Sequence, residues 1–206
     1  MLNQYLIEKL TLDLKIAPLN IIREYLEMEV LYYLSQSKLA ENIIFYGGTA
    51  LRLAYYSFRF SEDLDFLLIK DLKSNKKILE ETLKFVAKEN KGVTVEEVVN
   101  KRQTLFGLLH IKNELLKHSI RIKIEISKKK NGLQVKNILL SSPVSIKEII
   151  FKTASIESIY KLKQKAIQNR NMPRDWFDYW YLSQKLNKNI IINKNFHLIR
   201  KNFLEN

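Results

Sequence analysis

Residues 43–66 read IIFYGGTALRLAYYSFRFSEDLDF, and the fold is decided in this stretch. Ile43 to Tyr46 is a short apolar run closed by Gly47 and Gly48, the pattern of a buried strand ending in a bend. From Thr49 to Phe58, Leu51, Ala54, Tyr55 and Phe58 recur on one side at helical spacing, and Asp63 to Ile69 then reads as a second strand. One short helix therefore returns the chain from the glycines to the aspartates, so adjacent strands can set bend and acids side by side.

In that second strand Asp63 and Asp65 stand two residues apart, so they share one face while Leu64 and Phe66 enter the other. Two carboxylates on one face can grip a single hard cation. Aspartate is depleted in strands, so the pair asks for an explanation, and an exposed sheet face is the plain one. At Gly47 and Gly48 the missing side chains let backbone N–H groups and the positive helix end approach a phosphate. The pair matches neither the Rossmann glycine pattern nor a P-loop, and a bare Gly-Gly is otherwise only a turn.

Outward from this centre, Pro18 to Ser37 has Leu19, Ile22, Leu26, Val30 and Tyr33 at helical spacing, with Pro18 in the first turn. A helix is expected at Asn75 to Lys88. Strands follow at Val93 to Val99, Leu105 to Ile111, Ser119 to Ile126 and Leu133 to Ile138, broken by Gly92, Gly107 and Asn131-Gly132. Lys128, Lys129 and Lys130 mark a solvated hairpin tip. In Ser119 to Ile126 the isoleucines take one face and Arg121, Lys123 and Glu125 the other. Glu125 is then either a third carboxylate for a metal site, as ligand or general base, or one half of a solvated Lys123–Glu125 pair.

After Pro143 the pattern turns helical, and Ser145 with Glu148 resembles a capping box. The expected architecture is α/β: a core domain over 1–144 with a mixed sheet flanked by helices, then a helical domain over 145–206. In the latter, Ile156, Ile159, Lys163, Ala166, Ile167 and Arg170 form one stripe, which sets two cations on a core-facing side. The next helix opens at Pro173 and carries Arg174, Asp175 and Asp178 among Trp176, Phe177, Trp180 and Tyr181. Asp178 and Lys163 can pair there, as a structural bridge or as part of a site facing a triphosphate. His110, His118 and His197 have no metal-ligand spacing.

The chain of 206 residues carries 35 Lys and Arg against 22 Asp and Glu, a formal charge of +13. Lysine, asparagine and isoleucine are all abundant, which a compositional bias explains in part, so the distribution of charge says more than its sum. From Ser145 to Asn206 there are 12 Lys and Arg against 5 Asp and Glu, which makes the last third the expected polyanion surface. With no cysteine, disulfides, thiolate zinc sites and a cysteine nucleophile are excluded, and a reducing, cytoplasmic setting is expected. Charged residues interrupt the first fifteen positions, so no membrane span is expected there.

Three blocks together, Gly47-Gly48-Thr49-Ala50-Leu51-Arg52-Leu53, Arg59-Phe60-Ser61-Glu62-Asp63-Leu64-Asp65-Phe66, and Lys163 to Arg170 with Arg174-Asp175-Trp176-Phe177-Asp178, resemble the AbiEii/AbiGii-type toxin nucleotidyltransferases. These are polymerase-beta-like enzymes. Leu162 and Phe177 depart from the family's usual residues. The resemblance implies a nucleotidyltransferase core followed by a helical bundle, in a toxin of an abortive-infection or toxin–antitoxin system with a cognate antitoxin. It implies that Gly47, Gly48 and Thr49 contact nucleotide phosphate, that Asp63 and Asp65 bind Mg²⁺ (Mn²⁺ the alternative), that Lys163 meets the triphosphate, and that Asp178 belongs to the catalytic block. Glu125 is added to the acids by its chemistry alone, and Arg52, Arg170, Arg174 and Asp175 complete the expected nucleotide-binding set. The expected reaction transfers a nucleoside monophosphate from a nucleoside triphosphate to a hydroxyl, with the tRNA 3′ end the first acceptor and a protein hydroxyl the second. A non-catalytic nucleotide or nucleic-acid binder on the same fold is the rival reading.

Overall fold

The computed structural model describes residues 2–129, 132–170 and 172–189. Lys130, Asn131 and His197, and the end of the helical domain from residue 190, lie outside the described residues. The chain divides into two compact units, Met1–Ala154 and Ser155–Asn206.

The first unit opens with helices α1 (Gln4–Leu14) and α2 (Pro18–Ser35). Then come β1 (Ile43–Tyr46), α3 (Gly47–Tyr55), β2 (Asp63–Leu68) and α4 (Asn75–Glu89). Strands β3 (Val93–Asn100), β4 (Thr104–Ile111), β5 (Ile120–Ser127), β6 (Val135–Leu140) and β7 (Ile149–Ala154) complete it. The described strands form one sheet in the order β3-β4-β5-β2-β1-β7-β6. It is mixed: β2 runs parallel to β5 and β1 parallel to β7, while the other neighbours are antiparallel.

Alternation separates the two faces of this sheet. On β5, Ile120, Ile122, Ile124 and Ile126 are buried while Arg121, Lys123 and Glu125 are exposed. The buried face joins the Phe45, Phe66 and Phe151 rings, whose centroids lie 5.2 to 6.1 Å apart. Helix α4 covers the same face so closely that a Cβ on Gly107 would meet Leu83 Cδ1 at 2.7 Å. The opposite face carries the acids.

Three sequence expectations need correction. Helix α3 starts at Gly47 itself and stops at Tyr55, because Tyr56 adopts φ 62° and turns the chain away, leaving Phe58 60% exposed. No helix begins at Ser145: its hydroxyl accepts from the N–H of Lys147, and the chain enters β7 instead. The sheet thus runs past residue 144, where the sequence marks the change of domain, because a six-residue segment is too short for its period to tell strand from helix.

The second unit contains α5 (Ile156–Asn169) and α6 (Pro173–Lys185). The Ser155 hydroxyl caps α5 by accepting from the N–H of Ser158 at 3.2 Å, and Pro173 opens α6 where its missing N–H costs nothing. Tyr160 and Tyr179 stack between the helices at 5.2 Å.

Candidate active site

Gly47 takes φ 90°, a conformation that favours glycine, and a Cβ there would collide with the Asp65 carboxylate. The glycine bend and the second aspartate are therefore in contact. A Cβ on Gly48 would meet the Ser61 hydroxyl at 2.6 Å and a guanidinium nitrogen of Arg59 at 2.7 Å. The bend is thus roofed by a hydroxyl and a cation, next to the N-terminus of α3, whose first N–H groups carry the positive end of the helix dipole. An anion fits this chemistry.

Across the sheet, register sets the acids in order. Asp65 is the Cα partner of Glu125 on the parallel strand β5, and Asp63 is the partner of Lys123. The Lys123 ammonium lies 3.8 Å from Asp63, so the lysine turns to the aspartate across the strands. Asp63 and Asp65 are half-buried and Glu125 is exposed. Among the described residues no three histidine, aspartate or glutamate side chains are gathered tightly enough to hold an ion. Glu125 is beside the pair by register only. The all-oxygen donors of Asp63 and Asp65 suit a hard divalent cation, so the residues fit such a metal.

Two residues expected to contact the nucleotide have side-chain partners within the fold. Thr49 is buried and its hydroxyl donates to the carbonyl of Asp63 at 2.7 Å, which anchors the start of β2 to the glycine turn. Arg52 lies over the Phe60 ring at 4.2 Å and donates to both oxygens of the buried Glu24 at 2.7 and 3.4 Å and to the Ser57 carbonyl at 3.1 Å. The Ser142 hydroxyl completes this network, donating to Glu24 at 2.5 Å.

Arg59 and Ser61 stand in the second block of the sequence with no role assigned to them by the pattern. The signal was available, since polar residues just before a strand's acid pair share the turn that faces them. The pattern misses Glu27 altogether. This side chain is 2% exposed with one carboxylate oxygen lacking any hydrogen-bond partner. Burial, then the charge of Glu24, push its carboxyl well above the usual range, and Asp63 adds to the effect.

In the helical unit, Lys163 and Asp178 pair as expected, at 2.7 Å, and Lys163 also reaches Asp175 at 3.1 Å. Arg170 clamps Asp175 with two hydrogen bonds of 2.6 and 2.9 Å. Burial alone would raise the Asp175 carboxyl, but the Arg170 hydrogen bonds and the Lys163 charge outweigh it and hold the group below its ordinary value. Arg174 is exposed, as is His118, and His110 is half-buried on β4.

No protein with a curated description matches the chain. Its fold is similar to that of JHP933 from Helicobacter pylori, with 22% identity and a TM-score of 0.61 over 82% of this chain and 68% of that one. It is also similar to MenT4, a nucleotidyltransferase toxin from Mycobacterium tuberculosis H37Rv, with 17% identity and a TM-score of 0.67 over 89% of this chain and 65% of that one. Likeness at such identities speaks for the fold alone. The family described as nucleotidyl transferase AbiEii toxin, type IV toxin–antitoxin system, matches residues 29–204, which takes in the glycine bend, the aspartate pair and the helical cluster. The chain belongs to the AbiEii nucleotidyltransferase toxin family.

Proposed function

We propose that this chain transfers a nucleoside monophosphate from a nucleoside triphosphate to the 3′ hydroxyl of an RNA, with tRNA the first acceptor, as the toxin of a pair with a cognate antitoxin. The contact between Gly47 and the Asp65 carboxylate supports the reading, because it brings the glycine bend and the aspartate pair together. Gly47, Gly48, Ser61 and Arg59 bind phosphate oxygens. Asp63 and Asp65 hold a divalent cation, Mg²⁺ or Mn²⁺, which when bound supplies neutralising charge to the triphosphate. The acceptor oxygen attacks the α-phosphorus, the bond to the β-phosphate breaks, and pyrophosphate leaves. Glu125 takes the proton from the hydroxyl, either directly or through one water. Thr49 and Arg52 position the strand and turn that carry the acids. In the helical unit, Lys163 and Asp178 are required for activity, Arg170 and Asp175 fix them, and Arg174 contacts phosphate. The cysteine-free chain performs this reaction in the cytoplasm.

The test incubates the protein with each nucleoside triphosphate labelled at the α-phosphate, Mg²⁺ and total tRNA, beside Asp65→Ala. Label should reach tRNA only with the unaltered protein. Label on protein but not on tRNA would move the acceptor to a protein hydroxyl, and equal label from both proteins, or none from either, would contradict the reading.

A further inference from the structure

The acids belong to a row that continues past them. Tyr46, Asp65, Glu125, Phe106 and Val99 are successive register partners across β1, β2, β5, β4 and β3. Adjacent strands lie about 4.8 Å apart, so Phe106 is two strands, roughly 10 Å, from Asp65 on the same face. One nucleotide bridges that span. Phe106 is half-buried, as is Leu108 in the next row, while Leu105 and Leu109 point into the core. An aromatic ring therefore looks out of the open sheet face beside the acids.

Cations border this ring. The Lys101 ammonium lies 4.9 Å over the Phe106 ring, reaching back from the turn closed by the Lys101 N–H to the Thr104 carbonyl. The Lys128 N–H donates to the Gln103 carbonyl at 2.9 Å, which ties the end of β5 to the same turn. Lys101, Arg102, Lys128 and Lys129 thus edge this end of the sheet, with Asp71 neutralising only Lys128, at 3.0 Å. Single-stranded RNA is held by this combination: a base stacks on an exposed ring while lysines and arginines track the phosphates.

Building on the nucleotide-transfer reading, we infer that the β3–β4–β5 face is the acceptor platform, on which the last base of a single-stranded RNA 3′ end stacks against Phe106. Its hydroxyl then points along the row to Asp65, and the preceding phosphates lie on Lys101, Arg102 and Lys129. A base on the ring exchanges with the Lys101 ammonium, which moves to the adjoining phosphate.

The test measures fluorescence anisotropy of a short single-stranded RNA, labelled at its 5′ end and free at its 3′ hydroxyl, with the protein and three variants. Phe106→Leu keeps an apolar side chain and removes the stacking face, so affinity should fall about tenfold while the melting temperature holds. Phe106→Trp should bind at least as tightly as the unaltered protein, and Lys101→Gln should bind more weakly with a shallower dependence on salt. Equal affinity of Phe106→Leu and the unaltered protein would overturn the platform. Label transfer separates the two readings: transfer to RNA with an acceptor KM unchanged by Phe106→Leu removes the platform and leaves the enzyme. RNA binding that depends on Phe106 without any transfer removes the enzyme and leaves the platform. An unaltered protein that binds no RNA removes the platform together with the RNA acceptor.

Discussion

On the sheet, Asp63 and Asp65 are half-buried and Glu125 is exposed, with Lys123 no nearer than 3.8 Å to Asp63. In the helical unit, Asp175 and Asp178 are fully buried and hydrogen-bonded to cations at 2.6 to 3.1 Å. Half-exposed acids keep part of their hydration and so cost less stability than buried ones. Buried acids need compensation within the fold, which Lys163 and Arg170 supply, so that cluster is neutral as it stands. The two regions set the same residue types in different surroundings, and mutations should separate them into losses of activity alone and losses of activity together with structure.

The largest effect belongs to the sheet. Asp65→Ala should lower the rate of nucleotide transfer by two to three orders of magnitude, on the order of 3–4 kcal/mol of transition-state stabilisation, and leave the melting temperature unchanged. Lys163→Met should lower stability as well as activity. It removes the ammonium that lies 2.7 Å from buried Asp178 and 3.1 Å from buried Asp175, a cost of about 3–5 kcal/mol in chemical denaturation. If Lys163→Met folded as stably as the unaltered chain, the contrast between the two regions would break. Gly47→Ala lies between them, since its φ of 90° disfavours a Cβ and that Cβ enters the Asp65 carboxylate. A loss of about 1–3 kcal/mol in stability should come with loss of nucleotide binding.

The smallest effects are those of pH, and their signs differ. Asp175 is held below its ordinary value, so its stabilisation is full above the usual carboxylate range and is lost as pH falls through the depressed value. Glu27 is raised, so stability is greatest below the usual glutamate range and declines as pH rises towards the raised value. Glu27→Gln should remove that decline, so its advantage in melting temperature should grow from acid to mildly alkaline solution. A constant difference across pH would show that Glu27 is not the titrating group.

Much of this was legible from the sequence, and particular residues show why. The glycine pair interrupts an apolar run sharply, and the alternation from Ile120 to Ile126 assigns each side chain a face, so β1, β2, β5 and the shared face of the aspartates follow from pattern. Strand β7 does not, because Ile149–Ala154 is short and the polar residues before it imitate a helix start. The resemblance implies a phosphate contact for Thr49, and Arg52 joins the expected nucleotide-binding set from the same block. Their buried companions, Glu24 on α2 and the Asp63 carbonyl, come from packing that no spacing within the motif reveals. The row from Asp65 to Phe106 depends on β2 lying between β1 and β5, an order set by tertiary pairing.

The central claim is that the glycine bend and the aspartates beside it hold one cation-bound triphosphate. Calorimetric titration of a non-hydrolysable nucleoside triphosphate, with and without Mg²⁺, into the unaltered protein and Asp65→Asn tests it most directly. The account predicts binding that requires the cation in the unaltered protein and is lost in Asp65→Asn. Equal affinity in the two proteins, or binding indifferent to the cation, would contradict it.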